Sequence, residues 1–211
     1  FDEQMLAGRA DVTGVVEKVE HRPTIELIRR LHPRATRIAV ITDTTTSSLG
    51  NRRILQRLAE DYRGTIDLEM LDVDGKGLTL KELAGKLRRL DPNTVVLYRD
   101  FFVDANGQYF APREVVPLLS RASPVPMYAT SAIYLGHGIV GGYLNSGVEQ
   151  GREAAEMAVR ILNGTPASEI PVDLEGTHRY MFDHRQLARF GIPVSALPEG
   201  GVVLHRPVSF Y

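Results

Sequence analysis

The sequence contains no cysteine and no tryptophan among its 211 residues. Without thiols there is no disulfide, no thiolate nucleophile and no cysteine-ligated metal. An excess of one charge is also missing: 25 Lys and Arg stand against 26 Asp and Glu, a net charge of −1. That balance gives no basic surface of the density phosphate backbones demand, so nucleic acid is not expected as a partner. No apolar run reaches the ~20 residues of a membrane helix. The chain opens on Phe1 with neither a basic n-region nor an apolar h-region, so no signal peptide is legible, and a segment of a longer protein is expected. The six histidines lack the paired spacing of a zinc helix, and no Gly-x-Ser-x-Gly elbow occurs. Surface or capping roles are expected for them, with no metal, no cofactor and no catalytic residue.

What is present is a rhythm. After Pro23, Ile25, Leu27, Ile28 and Leu31 recur at helical spacing until His32-Pro33 stops them. Four similar units follow, each an apolar strand, a polar loop and, in the first three, an amphipathic helix. The expected strands are Arg37 to Ile41, Thr65 to Leu71, Thr94 to Tyr98 and Val125 to Ala129. The expected helices bury Ile54, Leu55, Leu58 and Tyr62 after an Asn51 cap, then Leu80, Leu83, Ala84, Leu87 and Leu90, then Val115, Val116, Leu118, Leu119 and Ala122. Short β-branched strands alternating with helices imply a parallel sheet with helices on both faces, since parallel strands need crossovers. Beyond Gly138, Ile139 to Asn145 reads as a Gly-interrupted strand with close backbone approach. A small-residue helical stripe through Val148, Gly151, Ala155, Ala158, Val159 and Leu162 follows it. Short strands are then expected at Ile170 to Val172 and Arg179 to Phe182, a short helix at Arg185 to Phe190, and an extended tail from Gly191.

In open parallel sheets, ligands sit outside the carboxyl ends of the strands. The loop from Asp43 to Asn51 gathers hydroxyls before a helix N-terminus, where free backbone N–H groups can hold a carboxylate or phosphate. It is not a P-loop, since no Gly-Lys-Ser/Thr follows. The plainer reading, that Thr and Ser merely cap the helix, stays open. Asp100 with Phe101 and Phe102 ends the firmest strand and suits a ligand amine with a flat apolar body; the alternative is that an aromatic packs beneath the loop. Ser131 and Tyr134 extend that edge, Tyr143 follows on the returning segment, and Tyr128 is expected in the core. The Arg29-Arg30, Arg52-Arg53 and Arg88-Arg89 pairs read as solvated helix faces.

Several fragments then stand in a telling order: Val12-Thr13-Gly14-Val15, Leu31-His32-Pro33, Arg37 to Ile41, Val125-Pro126, Gly136-His137-Gly138, Gly151 to Ala155 leading to Ile161-Leu162-Asn163-Gly164, and Ile170-Pro171-Val172. Together they resemble the substrate-binding family of ABC transporters with a type I periplasmic-binding fold. The stretch from Phe182 to Ile192, with Leu197 to Gly200 and Arg206 to Tyr211, resembles the extracytoplasmic sensor region of membrane-bound histidine kinases, just before a membrane helix.

The resemblance implies an α/β fold of three-layer, parallel-sheet lobes with the first lobe incomplete. Residues 1–35 would be a remnant of lobe one and a crossover, 36–135 lobe two, 136–190 the return crossover and lobe-one elements, and 191–211 a tail leading toward a membrane segment. A small polar organic solute would bind between lobes against Asp43, Thr45, Thr46, Ser47, Asp100, Phe101, Ser131, Tyr134 and Tyr143. Thr13, Gly14, Gly141 and Gly142 would act as hinges, glycine permitting the rotation that closure needs. The first expectation is a binding module, not an enzyme, serving a sensor kinase at the extracytoplasmic face. The partner would be a membrane-linked kinase module, with a homodimer compatible. The alternatives are a solute-binding protein partnered with a permease and a flavodoxin-like FMN carrier.

Overall fold

The computed structural model describes Arg9 and residues 11–207, which divide into two compact units. The larger spans the ranges Glu20–Leu144 and Tyr180–Tyr211, the smaller Phe1–Val19 and Asn145–Arg179.

The larger unit is built on a seven-stranded sheet. Its strands are β1 (Arg37–Ile41), β2 (Asp67–Met70), β3 (Thr94–Tyr98), β4 (Met127–Ala129), β5 (Gly141–Asn145), β6 (His178–Asp183) and β7 (Val202–Leu204), in spatial order β2-β1-β3-β4-β5-β6-β7. β1 pairs in parallel with β2 and β3, β3 with β4, β4 with β5, and β6 with β7. The helices of the larger unit are α1 (Arg22–Leu31), α2 (Thr46–Asp61), α3 (Leu80–Leu87), α4 (Pro112–Ala122) and, after α5 (Gly147–Leu162) of the smaller unit, α6 (His184–Arg189).

Strand alternation sorts the core into two layers. Ala39, Ile41, Val96, Tyr98, Met127 and Ala129 face Leu83 and Leu87 of α3 and Val115, Val116 and Leu119 of α4. Ile38, Val40, Val95, Leu97 and Tyr128 face Ile25 and Ile28 of α1, Leu55 of α2 and Leu187 of α6. Both sheet faces are therefore covered, which is why β1 and β3 read as unbroken apolar runs. Tyr128 is fully buried, its hydroxyl 2.8 Å from His32 Nε2.

Several local expectations are corrected. α2 begins at Thr46, not Asn51, because Thr45 takes the extended N-cap conformation and its hydroxyl accepts from Ser48 N at 3.3 Å. Ile54 and Leu118 face outward, since each lies one step off the apolar stripe of its helix. Arg52 is buried, donating to Asp72 O at 2.6 Å and pairing with the Asp72 carboxylate at 3.5 Å, so it locks α2 onto the loop after β2. Ile170 to Val172 forms no strand; the neighbouring Asp173 makes a single bridge to Val15. The tail contributes β7, whose parallel pairing with β6 is carried by the intervening α6. The remainder of the expected pre-membrane segment, residues 208–211, lies outside the described residues. No helix among those described is long and apolar enough to cross a membrane.

Gly141 and Gly142 answer to packing. A Cβ on Gly141 would stand 2.1 Å from Met181 O, and one on Gly142 2.1 Å from Ala129 O. β5 is squeezed between its neighbours at a distance only glycine allows.

In the smaller unit, Asp173 N donates to Gly14 O and Val16 N to Asp173 O, both at 2.9 Å. Thr13 Oγ1 donates to Pro171 O at 3.4 Å. Ser146 caps α5 by accepting from Glu149 N at 3.3 Å, yet none of the helix's residues is buried.

Candidate functional site

The chain leaves β1 for β2 on one side and resumes at β3 on the other, so the sheet's direction of growth reverses between β1 and β3. Such a switch point opens a crevice at the carboxyl ends of its two strands, because the loops diverge to opposite faces. Of the four loops expected at the carboxyl edge, Asp43 to Ser48, Asp74 to Leu78, Arg99 to Asp104 and Thr130 to Gly138, the first and third follow β1 and β3 and border this crevice.

Asp43 is the knot between them. One carboxylate oxygen accepts from Thr45 N at 2.9 Å and Thr45 Oγ1 at 2.6 Å; the other accepts from Phe102 N at 2.7 Å and Val103 N at 3.3 Å. Its own N–H donates to Ser48 Oγ at 2.9 Å. With its oxygens saturated, Asp43 shapes the crevice by fixing the β3 loop against the start of α2. Thr45 is half-buried at the cap, while Thr46 and Ser47 are exposed in the first turn.

Asp100 is 2% exposed and paired with Arg99 at 3.1 Å, but its second oxygen, Oδ1, has no hydrogen-bond partner. Burial pushes its carboxyl above the ordinary carboxylate range, and the Arg99 cation and the Ser48 hydroxyl oppose that shift. Ser131 is half-buried before a 3₁₀ turn at Ala132–Tyr134. Tyr143 is half-buried on β5, its N–H donating to Thr24 Oγ1 at 3.0 Å and its ring 4.9 Å from that of Tyr180. Two residues expected at the edge are core side chains instead. Phe101 stacks on Phe110 at 6.0 Å, and Tyr134 meets Tyr98 edge-on at 4.8 Å. Tyr143 lies within β5, apart from the switch-point pair of Asp43 and Asp100.

Four polar side chains outside the expected site residues also lie here, two of them, Arg99 and Thr130, at the start of loops already expected at this edge. Thr42, Arg99 and Thr130 each follow the last residue of a strand, and His21 stands at the cap position of α1, all buried. Of the surface or capping roles expected of the histidines, His21 does take the cap position, but it is buried there and makes no side-chain cap hydrogen bond. Burial brings its pKa down to about 4, with the Arg99 cation adding to the shift and Asn51 opposing it. The ring is therefore neutral at pH 7. The sequence signal that could have found Thr42 is positional: a polar residue immediately after a fully apolar parallel strand.

Residues 3–196 match the family described as ABC transporter substrate binding protein. The chain belongs to that family. Among solved structures, this substrate-binding chain is similar to a conserved domain protein from Vibrio cholerae, with 17% identity, a TM-score of 0.62, and coverage of 91% of this chain and 62% of that one. It is similar to an ABC domain from Streptococcus in complex with L-Trp, with 16% identity, a TM-score of 0.62, and coverage of 92% and 65%. It is also similar to the ligand-free, open structure of a substrate binding protein with adhesive properties from Clostridium difficile, with 17% identity, a TM-score of 0.62, and coverage of 96% and 68%. Identities this low establish a shared fold. The chain spans about two thirds of the length of these structures. No curated protein gives a significant match. The five-strand order β2-β1-β3-β4-β5 is one flavodoxins share; membership of a substrate-binding family separates the chain from FMN carriers where topology alone does not.

Proposed function

We propose that this chain is the solute-binding part of an ABC transporter's extracytoplasmic binding protein, with a permease as its membrane partner. The carboxyl edge of the larger unit supplies a ligand wall. The observation that carries this reading is the coincidence of the family match with a topological switch point whose two loops are tied together by Asp43. Asp43, Thr45, Thr46, Ser47, Asp100, Ser131 and Tyr143 form the wall, and Phe101 and Tyr134 support it from beneath. Residues 36–135 correspond to a second lobe, with 1–35 and 136–190 supplying crossovers and first-lobe elements. Thr13, Gly14, Gly141 and Gly142 are the hinge positions. The ligand is a small organic solute, in keeping with the L-Trp held by the Streptococcus relative.

The kinase-linked sensor uses the same fold and the same edge, but its separate support is the tail resemblance alone, and the family match favours uptake. A thermal-shift screen of amino acids, organic acids and sugars on the full protein tests binding, with at least one solute expected to raise Tm. Stabilisation by none of them removes the reading. Permease genes beside the coding sequence support uptake; a kinase module in the same reading frame replaces uptake with sensing.

A further inference from the structure

Buried polar groups are almost always hydrogen-bonded, so a cluster that is not calls for a missing partner. Among the described residues of the larger unit all such atoms but Arg52 Nη1, which faces the Asp72 carboxylate, belong to one group: both ring nitrogens of His21, Oγ1 of Thr42, Nε of Arg99, Oδ1 of Asp100 and Oγ1 of Thr130. The register explains the gathering. Ile41 pairs with Tyr98 and Tyr98 with Ala129, so Thr42, Arg99 and Thr130 are the next residues along three adjacent strands. Arg99 N donates to Ile41 O at 3.0 Å, carrying the ladder one residue past the strands. By alternation these three share the face of Val40, Leu97 and Tyr128, the face covered by α1, whose cap residue is His21. Adjacent strands lie about 4.8 Å apart, which sets Arg99 between two threonine hydroxyls in a row about 10 Å long.

The chemistry of that row is one-sided. Arg99 Nε is a donor only, each threonine hydroxyl can donate, and neutral His21 offers one N–H. Two unsatisfied acceptors have no proton to give: Asp100 Oδ1, whose other oxygen already holds Arg99, and the unprotonated ring nitrogen of His21. A planar guanidinium flanked by hydroxyls matches the two oxygens of a carboxylate.

We propose that His21, Thr42, Arg99 and Thr130 form a subsite for the carboxylate group of the bound solute, placed on the α1 face of the switch-point crevice, not in the hydroxyl-rich loop at the start of α2. This rests on the reading of the carboxyl edge as a ligand wall and specifies what the wall grips.

The test uses the full chain, calorimetric titration and a defined panel: the common amino acids, acetate, succinate, the carboxamide counterpart of any carboxylate that binds, inorganic phosphate and neutral sugars. A carboxylate-bearing solute is expected to bind, with its carboxamide counterpart about tenfold to a hundredfold weaker, the usual worth of a charge-assisted bond. Thr42→Val and Thr130→Val each weaken binding about tenfold while leaving the Tm of the unliganded protein unchanged or raised, because each removes a buried hydroxyl that has no partner. Arg99→Met abolishes binding; since it also strands Asp100, the threonine variants guard against a folding defect. Affinity within twofold of the parent in both threonine variants overturns the subsite and leaves the ligand wall standing. Binding of only phosphate or only neutral sugars overturns the carboxylate. Binding of nothing in the panel removes the wall and the subsite together.

Discussion

α1 and α5 are written in the same grammar and fold into opposite situations. α1 carries apolar residues at helical spacing and buries Thr24, Ile25, Leu27 and Ile28 against the sheet. α5 carries its own stripe through Val148, Ala155, Val159 and Leu162, yet Val148 is 82% and Leu162 84% exposed, and no residue of the helix is buried. Periodicity fixes which face a helix would hide; a surface to hide it against comes only from the rest of the fold. The larger unit provides that surface with its sheet, and the described part of the smaller unit does not.

The contrast can be pressed hardest where the larger unit is tightest. Gly141→Val drives a side chain into Met181 O, and loss of a stable fold, on the order of 4 kcal/mol or more, is expected by urea denaturation. Leu55→Ala empties a fully buried site under α2 and should cost about 2–5 kcal/mol. Acid probes the same layer through His21. Its folded pKa of about 4 lies below the ordinary histidine value of 6.5, so the unfolded chain binds the extra proton between those values. Stability from this group is present above pH 6.5 and is lost as pH falls toward 4, roughly 3 kcal/mol in all. Asp100, with its raised pKa, acts in the opposite direction at the acid end by favouring the protonated folded state. His21→Gln should flatten the slope of urea midpoint against pH across that window; an unchanged slope would assign the acid sensitivity elsewhere. Asp43→Ala leaves the amides of Phe102 and Val103 unpaired and should cost about 2–3 kcal/mol, read as a shift in urea midpoint. At the small end, Leu162→Ala on α5 should change stability by less than about 0.5 kcal/mol. A loss comparable to that of Leu55→Ala would show that α5 is covered in solution and would end the contrast.

Much of the fold was legible because parallel strands buried on both faces leave uninterrupted apolar runs. β1 and β3 begin and end where their residues change character. The α2 boundary was harder, since hydroxyl residues serve equally as loop and as cap, and only the extended backbone of Thr45 decides that the helix starts five residues before Asn51. Arg52 and His21 were misread for a related reason: charge and polarity predict exposure on average, whereas Arg52 is buried against Asp72 of the loop after β2 and His21 is buried at the start of α1.

The site divides the same way. The sequence by itself determined the strand-loop-helix rhythm and hence the edge at which a ligand would sit, because binary patterning acts over a few residues. That Asp43 bonds across to the β3 loop, that Phe101 turns inward, and that Thr42, Arg99 and Thr130 fall into one row were decided by strand order and register. Those are relations between segments tens of residues apart, and no local pattern encodes them.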